Sequence, residues 1–275
     1  VTALSVMGLV ASPPGVITGG AVRFQGEDLI GAPYETLRQK RGDRVAYIFQ
    51  DPLSTLHPLY RIGQQLAEAI HSHHKVSKAE ARLCAIQLLK DVRIPNSEAW
   101  VDYYPHELSG GMRQRVGIAM ALANEPDVII ADEPTTALDV TVQAQILSLL
   151  NDLRRDRGLA IIFITHDFGV VGQICDRVAV MYAGQIVEEG PTQVVLDAPA
   201  HPYATRLIAC VPELGGGQRE LTAIPGLPPV VDDLPEGCAF APRCEKALNS
   251  CRADDVMLQG TELRVVRWLY PGEGL

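Results

Sequence analysis

Apolar positions along this chain recur with two different periods, and the alternation between the periods predicts the architecture. Short apolar runs, "RVAYIF" (44–49), "DVIIA" (127–131), "LAIIFIT" (159–165) and "RVAVMYA" (177–183), punctuate the sequence. Near-continuous hydrophobic runs of this length are what strands covered on both faces of a parallel sheet require. Between two of them the period becomes helical: Val142, Ile146, Leu149, Leu150 and Leu153 fall on one face, which is expected to pack on the sheet. The fold class is therefore α/β, a mostly parallel sheet flanked by helices. From about Pro52 to Glu107 the pattern is helix-rich, which predicts a helical subdomain inserted in the sheet domain. Within it Ser77 and Glu80 are placed as a capping box for a helix over 78–92, with Ala81, Ala85, Leu88, Leu89 and Val92 as its apolar stripe. Cys84 is expected in the same core. After about Val211 periodicity gives way to "PELGGGQRE" and "IPGLPPVVDDLPEG", a linker composition that leads to a cysteine-containing tail. Residues 1–210 are thus expected to form the main domain and 211–275 an appendage.

Composition narrows the function classes. Acidic residues outnumber basic ones by 33 to 24, a net charge of −9, which argues against an electrostatic nucleic-acid binder. The longest apolar runs fall far short of the roughly 20 residues that cross a bilayer, so contact with a membrane is expected through a partner. The six cysteines are not spaced like a small secreted scaffold, and a reducing, cytosolic compartment is expected.

The candidate chemistry gathers at strand ends and at one helix start. "DVIIADEP" places Asp132 and Glu133 directly after a buried strand, at the carboxyl edge where parallel sheets bind ligands. A carboxylate there suits a hard cation, and a second one suits a water nucleophile. "HELSGGMRQR" places Ser109 at a helix start, with Gly110 and Gly111 baring backbone N–H groups to an anion. Gln50 in "VAYIFQDP" and His166 in "IIFITHD" emerge after two further apolar runs. Taken singly, each of these signals also fits an ordinary turn, helix cap or solvated strand end.

In their order and spacing, "YIFQDP", "LSGGMRQRV", "IIADEPTTALD" and "ITHDF" resemble the ATP-binding subunits of ABC transporters, from residue 1 to about 210. The resemblance implies an ATPase using ATP and Mg²⁺. Gln50 becomes the Q-loop glutamine, Leu108 to Gln114 the signature motif, Asp132 and Glu133 the Walker B pair, Asp139 the D-loop aspartate and His166 the switch histidine. Asp132, with Gln50, would hold Mg²⁺, while Glu133, His166 and Gln50 would serve catalysis. Ser109, Gly110, Gly111, Gln114 and Asp139 would meet nucleotide across a head-to-tail dimer with a second, identical or similar, ATPase subunit. The helical insertion would dock on integral membrane permease subunits, with a substrate-binding protein taking part indirectly, on the cytoplasmic side of the inner membrane. "HPYATRLIACVPEL" from His201 and "GCAFAPRCEKALNSC" resemble the oligopeptide and dipeptide importer branch, which implies peptide uptake. Nickel and glutathione importers share much of this pattern, and a degenerate, non-hydrolysing subunit is the alternative within the chemistry.

Two further expectations come from the same resemblance. "VTALSVMGLV" looks like the helix that follows a phosphate-binding loop, and no G-x-x-x-x-G-K-[ST] occurs in the sequence. The absent initiator methionine favours a fragment of a complete ATPase over a truncated product or a subunit that lends only its signature face. Lacking the loop and its strand, the chain is expected to be marginally stable and inactive alone. Cys238, Cys244 and Cys251 resemble the branch tail that holds an iron–sulfur cluster in some peptide importers; Arg267 stands about where the fourth cysteine would fall. Free thiols are the alternative.

Overall fold

A computed structural model describes residues 1–51, 55–136, 138–211, 223–230, 233–253, 256–261 and 263–267. Backbone contacts divide the chain into two compact units, Val1–His166 and Asp167–Leu275.

In the first unit α1 (Thr2–Val6) is followed by the short antiparallel pair β1 (Arg23–Phe24) and β2 (Glu27–Asp28), then by α2 (Tyr34–Lys40). Three of the expected strands form as β3 (Val45–Ile48), β4 (Val128–Asp132) and β5 (Ala160–Ile164). They pair in parallel in the order β3-β4-β5, with Ile48 opposite Ala131 and Asp132 opposite Ile164. Val45, Ile48, Ile129 and Ile130 are buried, the β-branched packing that stabilises a pleated surface. Ala3 and Met7 bury themselves against Val45 and Ile130, so α1 covers one face of the sheet. Arg41 pins the end of α1 by donating to the Met7 and Gly8 carbonyls, each at 2.8 Å, which satisfies acceptors a helix end leaves open.

Between β3 and β4 lie α3 (Ile62–His71), α4 (Lys78–Asp91), α5 (Ser97–Trp100) and α6 (Gly110–Ala121). The expected capping box of α4 forms, Ser77 Oγ accepting from the Glu80 N–H and Glu80 accepting from the Ser77 N–H. Its stripe of Ala81, Ala85, Leu88, Leu89 and Val92 is buried throughout. Cys84 is not in that core: it is exposed, because it stands about 100° round the helix from Ala85, on the flank of the stripe. In α7 (Val140–Arg157) Ile146, Leu149, Leu150 and Leu153 are buried, and Gly158 at φ 63° ends the helix in a left-handed conformation.

The second unit corrects one sequence expectation. "RVAVMYA" does not join the parallel sheet. It forms β6 (Arg177–Tyr182), an antiparallel hairpin with β7 (Gln185–Pro191), and β7 pairs onward with β9 (Val265–Arg267), itself paired with β8 (Leu258–Gly260). Ala183 at φ 47° and Gly184 at φ 79° supply the positive-φ pair that a two-residue hairpin turn needs. This hairpin shares a sheet with the tail, and the contact boundary falls after His166. α8 (Phe168–Ile174), α9 (Thr192–Asp197) and α10 (Pro202–Ala209) complete the unit's longer helices among the described residues. Tyr182, Tyr203 and Phe240 pack ring to ring at 4.6, 5.2 and 5.4 Å in its core.

Beside this aromatic cluster lies a buried charge. Glu188, fully buried, accepts from Arg264 at 2.5 Å and from the His201 N–H at 2.8 Å. Arg264 also donates to the Ala198 carbonyl at 2.5 Å, so one ion pair fastens the 198–201 turn to the residue just ahead of β9. His201, 1% exposed, caps α10 by accepting from the Tyr203 N–H at 3.0 Å through Nδ1. Burial depresses its pKa from 6.5 to about 4, which keeps the ring neutral and able to accept. An unfolded chain therefore binds a proton between those values that the folded chain refuses, so the contribution of His201 is complete above pH 6.5 and is lost as pH falls through 4. Urea titrations from pH 7 to 4 should show stability falling by up to about 1.4 kcal/mol per pH unit from this group, with a shallower slope in His201→Gln. Arg264→Met strands the Glu188 carboxylate and should cost about 3–5 kcal/mol at pH 7; adding Glu188→Gln should recover part of that loss in the same titration.

Candidate functional site

Parallel register determines what meets at the carboxyl edge of the first sheet. Gln50, Glu133 and His166 each stand just beyond a strand, and adjacent strands bring them together. Glu133 adopts φ 47°, a left-handed backbone uncommon outside glycine, and its N–H donates to the Ile164 carbonyl at 2.9 Å. That bond carries the pairing one residue past β4 while the chain turns away. Gln50 Nε2 donates to Glu133 Oε2 at 2.8 Å, and His166 Nδ1 lies 3.3 Å from Oε1. The His166 side chain is 72% exposed and that of Glu133 25%, so this carboxylate is accessible and anchored at once.

Asp132 sits one residue earlier and points elsewhere. Its Oδ2 accepts from the Tyr47 hydroxyl at 2.5 Å. Tyr47 pairs with Ile130 across the strands, so Asp132 is two residues further along the same face, within reach of a phenol. Burial first, then the Asp132 carboxylate, holds the Tyr47 phenol above its ordinary pKa and so keeps it a donor. Sequence reasoning missed Tyr47 because it reads as one more apolar strand residue. It also missed Thr136, whose Oγ1 donates to Glu133 Oε2 at 2.9 Å. The only available signal for Thr136 was a hydroxyl three residues after a carboxylate, in a turn.

The expected anion-binding residues form a second group. Ser109 is the N-cap of α6, Oγ accepting from the Met112 N–H at 3.3 Å, and it is exposed with half-buried Gly110 and Gly111 behind it. Gln114 does not share that surface: at 2% exposed it faces inward among the apolar residues of α6. Asp139 caps α7, Oδ1 accepting from the Val142 N–H at 2.9 Å. The two helix starts are in contact, since a Cβ added at Gly111 would lie 2.6 Å from Val142 Cγ1.

The donor sets decide which ions fit. Asp132, Glu133 and the Gln50 amide oxygen are hard oxygen donors at one sheet edge, a set that suits Mg²⁺, with Asp132 and Gln50 as the residues that would hold it. The cysteines of the second unit do not fit a cluster. Cys238, Cys244 and Cys251 line one cavity with His201 and Phe240, but its volume is about 10 Å³, room for about one water. Burial raises the Cys238 and Cys244 thiols above their ordinary pKa. Among the described residues no group of three or more His, Cys, Asp or Glu is placed to hold a metal ion.

The ABC transporter family profile matches residues 2–136, and that of the oligopeptide/dipeptide transporter C-terminal region matches 187–251. The oligopeptide transport ATP-binding protein OppD of Bacillus subtilis is 50% identical over 250 residues, spanning 90% of this chain and 70% of that protein. OppD of Salmonella typhimurium is 48% identical, spanning 91% and 74%. Among solved structures, a dimeric post-hydrolysis state of the ATP-binding cassette MJ0796 bound to ADP and Pi aligns with a TM-score of 0.57 at 29% identity, covering 64% of this chain and 74% of that one. The chain belongs to the ATP-binding proteins of ABC transporters, in the branch that carries the oligopeptide/dipeptide transporter C-terminal region.

The Gly111–Val142 contact gives a direct test of how the two helix starts are joined. Gly111→Ala should destabilise the first unit by about 1–3 kcal/mol through overpacking. Val142→Ala in the same chain should recover most of that loss in chemical denaturation.

Proposed function

We propose that this chain is the ATP-hydrolysing subunit of an importer of di- or oligopeptides. The observation that supports the reading best is the meeting of Gln50 and His166 on Glu133 from neighbouring strand ends. A carboxylate held in this way can orient a water molecule and accept its proton as the water attacks the γ-phosphate. Mg²⁺, when bound, neutralises charge on the phosphates. Gln50 fixes the Glu133 carboxylate, and His166 stands where it can donate toward a developing negative charge. Ser109, Gly110 and Gly111 present backbone N–H groups that suit a phosphate held by a second subunit closing head to tail, with Asp139 at the same seam. Gln114, buried within α6, supports that helix start through packing. In this reading residues 1–210 act as the ATPase domain and 211–275 as the importer-branch tail.

The import reading rests on the C-terminal region match at 187–251 and on relatives named for oligopeptide transport. No helix among the described residues is long and apolar enough to cross a membrane. Integral membrane permease subunits are therefore the proposed partners, joined at the inner membrane's cytoplasmic side, with a substrate-binding protein acting through them. Copurification with integral membrane subunits is the expected result in detergent extracts, and a chain recovered free of them would remove the permease partners from this reading. An iron–sulfur cluster has no part in this reading; iron and acid-labile sulfide in the purified protein would restore it.

Glu133→Gln tests the chemistry in a polypeptide that carries a Gly-Lys-Ser phosphate-binding segment ahead of Val1. ATP affinity should hold while phosphate release falls by at least about a hundredfold, because a neutral amide does not take the proton. Turnover at the wild-type rate would remove Glu133 from this role.

A further inference from the structure

Glu133 presents two carboxylate oxygens in unequal surroundings. Oε2 receives Gln50 Nε2 at 2.8 Å and Thr136 Oγ1 at 2.9 Å. A carboxylate oxygen offers about two lone-pair sites, so these two donors saturate it. Oε1 has only His166 Nδ1 near it among the described polar contacts, at 3.3 Å, just beyond the usual range of about 2.7–3.2 Å for N–H···O bonds. One oxygen is therefore tied down and the other keeps a lone pair.

We propose that Thr136 is a positioning residue for hydrolysis: with Gln50 it occupies Oε2 of Glu133 and so leaves Oε1 as the oxygen that takes the proton of the attacking water. This rests on the ATP-hydrolysing reading. The two anchors have different origins, since Gln50 crosses from the end of β3 whereas Thr136 belongs to the turn that Glu133 itself begins. Within that turn the Thr136 N–H also donates to the Glu133 carbonyl at 3.3 Å, and Glu133 is held at φ 47°. The hydroxyl and the amide thus hold Oε2 from two different segments of the chain. Rotating the carboxylate to exchange its oxygens would break both bonds to Oε2. In the reaction the water oxygen forms its bond to the γ-phosphorus as the bond from phosphorus to the bridging oxygen breaks. That electron pair leaves with ADP, and the water's proton goes to Oε1 before passing to solvent. Thr136 touches neither water nor phosphate.

Thr136 is exposed, so replacing it by the near-isosteric valine removes the hydroxyl with little change in packing. The experiment compares wild type, Thr136→Val and Thr136→Ser, each with the phosphate-binding segment ahead of Val1. ATP affinity, steady-state turnover, thermal midpoint and the identity of retained nucleotide are measured on each. Thr136→Val should lower kcat by about tenfold to a hundredfold, the cost of a misplaced catalytic group. Its ATP affinity should stay within about twofold of wild type and its thermal midpoint should not move. Protein recovered from a rapid desalting column should retain ATP in place of ADP, and Thr136→Ser should restore turnover. Turnover unchanged or raised in Thr136→Val would overturn the proposal, because a freed Oε2 would then be as good a base or better. Parallel losses of ATP affinity, thermal midpoint and turnover would overturn it too, by making Thr136 a structural residue. Wild-type protein that binds no ATP, or hydrolyses it regardless of Glu133→Gln, would remove the ATPase reading itself, a failure visible before Thr136 is touched.

Discussion

In-register parallel pairing of three strands is the constraint on which the rest of the site depends. Ile48 faces Ala131 and Asp132 faces Ile164, so the residues just past each strand emerge side by side. A slip of one residue in either ladder would turn Gln50 or His166 to the opposite face and leave Glu133 without that partner. No single hydrogen bond in the cluster is strong enough to enforce this, since each contributes on the order of 1 kcal/mol net. Val45, Ile48, Ile129 and Ile130, all buried in β3 and β4, hold that ladder in register, because a slip would move each of them out of the place it packs into. Chemistry at the sheet edge is therefore specified by hydrophobic packing several residues away.

The second unit solves a different problem with a different interaction. Its sheet gathers strands separated by more than 70 residues of sequence, and the chain between them is rich in glycine and proline. Glu188 and Arg264 join these distant stretches through a pair that is almost wholly buried. Each charge is hydrogen-bonded to backbone as well as to its partner, which is what makes burying an ion pair tolerable. The His201-Pro202-Tyr203 segment has a structural account in the same place: the histidine caps α10, the proline occupies its first turn, and the tyrosine ring enters the aromatic core.

Much of this was legible in sequence where the signal is local. The Ser77–Glu80 capping box, the stripe of α4, the cap at Ser109 and three strand runs each depend on residues within one or two turns. Sequence also placed Gln50, Glu133 and His166 at strand ends, and a parallel sheet then had to bring them together. It could not show that Tyr47 reaches Asp132, 85 residues away, nor that a glutamate in β7 is buried against an arginine 76 residues later. Cys84 failed for a related reason: a helix's period fixes which residues share a face, while the width of the buried face is set by its neighbours. "RVAVMYA" shows the limit for strands, because apolar content signals burial but names neither partner nor direction.

The near-contact of Gly111 with Val142 has a mechanical consequence. Two helix starts that touch with no spare volume at Gly111 cannot approach each other further, which sets a floor on the spacing between Asp139 and the Gly110 and Gly111 amides. That floor fixes how near the positive end of one helix can lie to the start of the other.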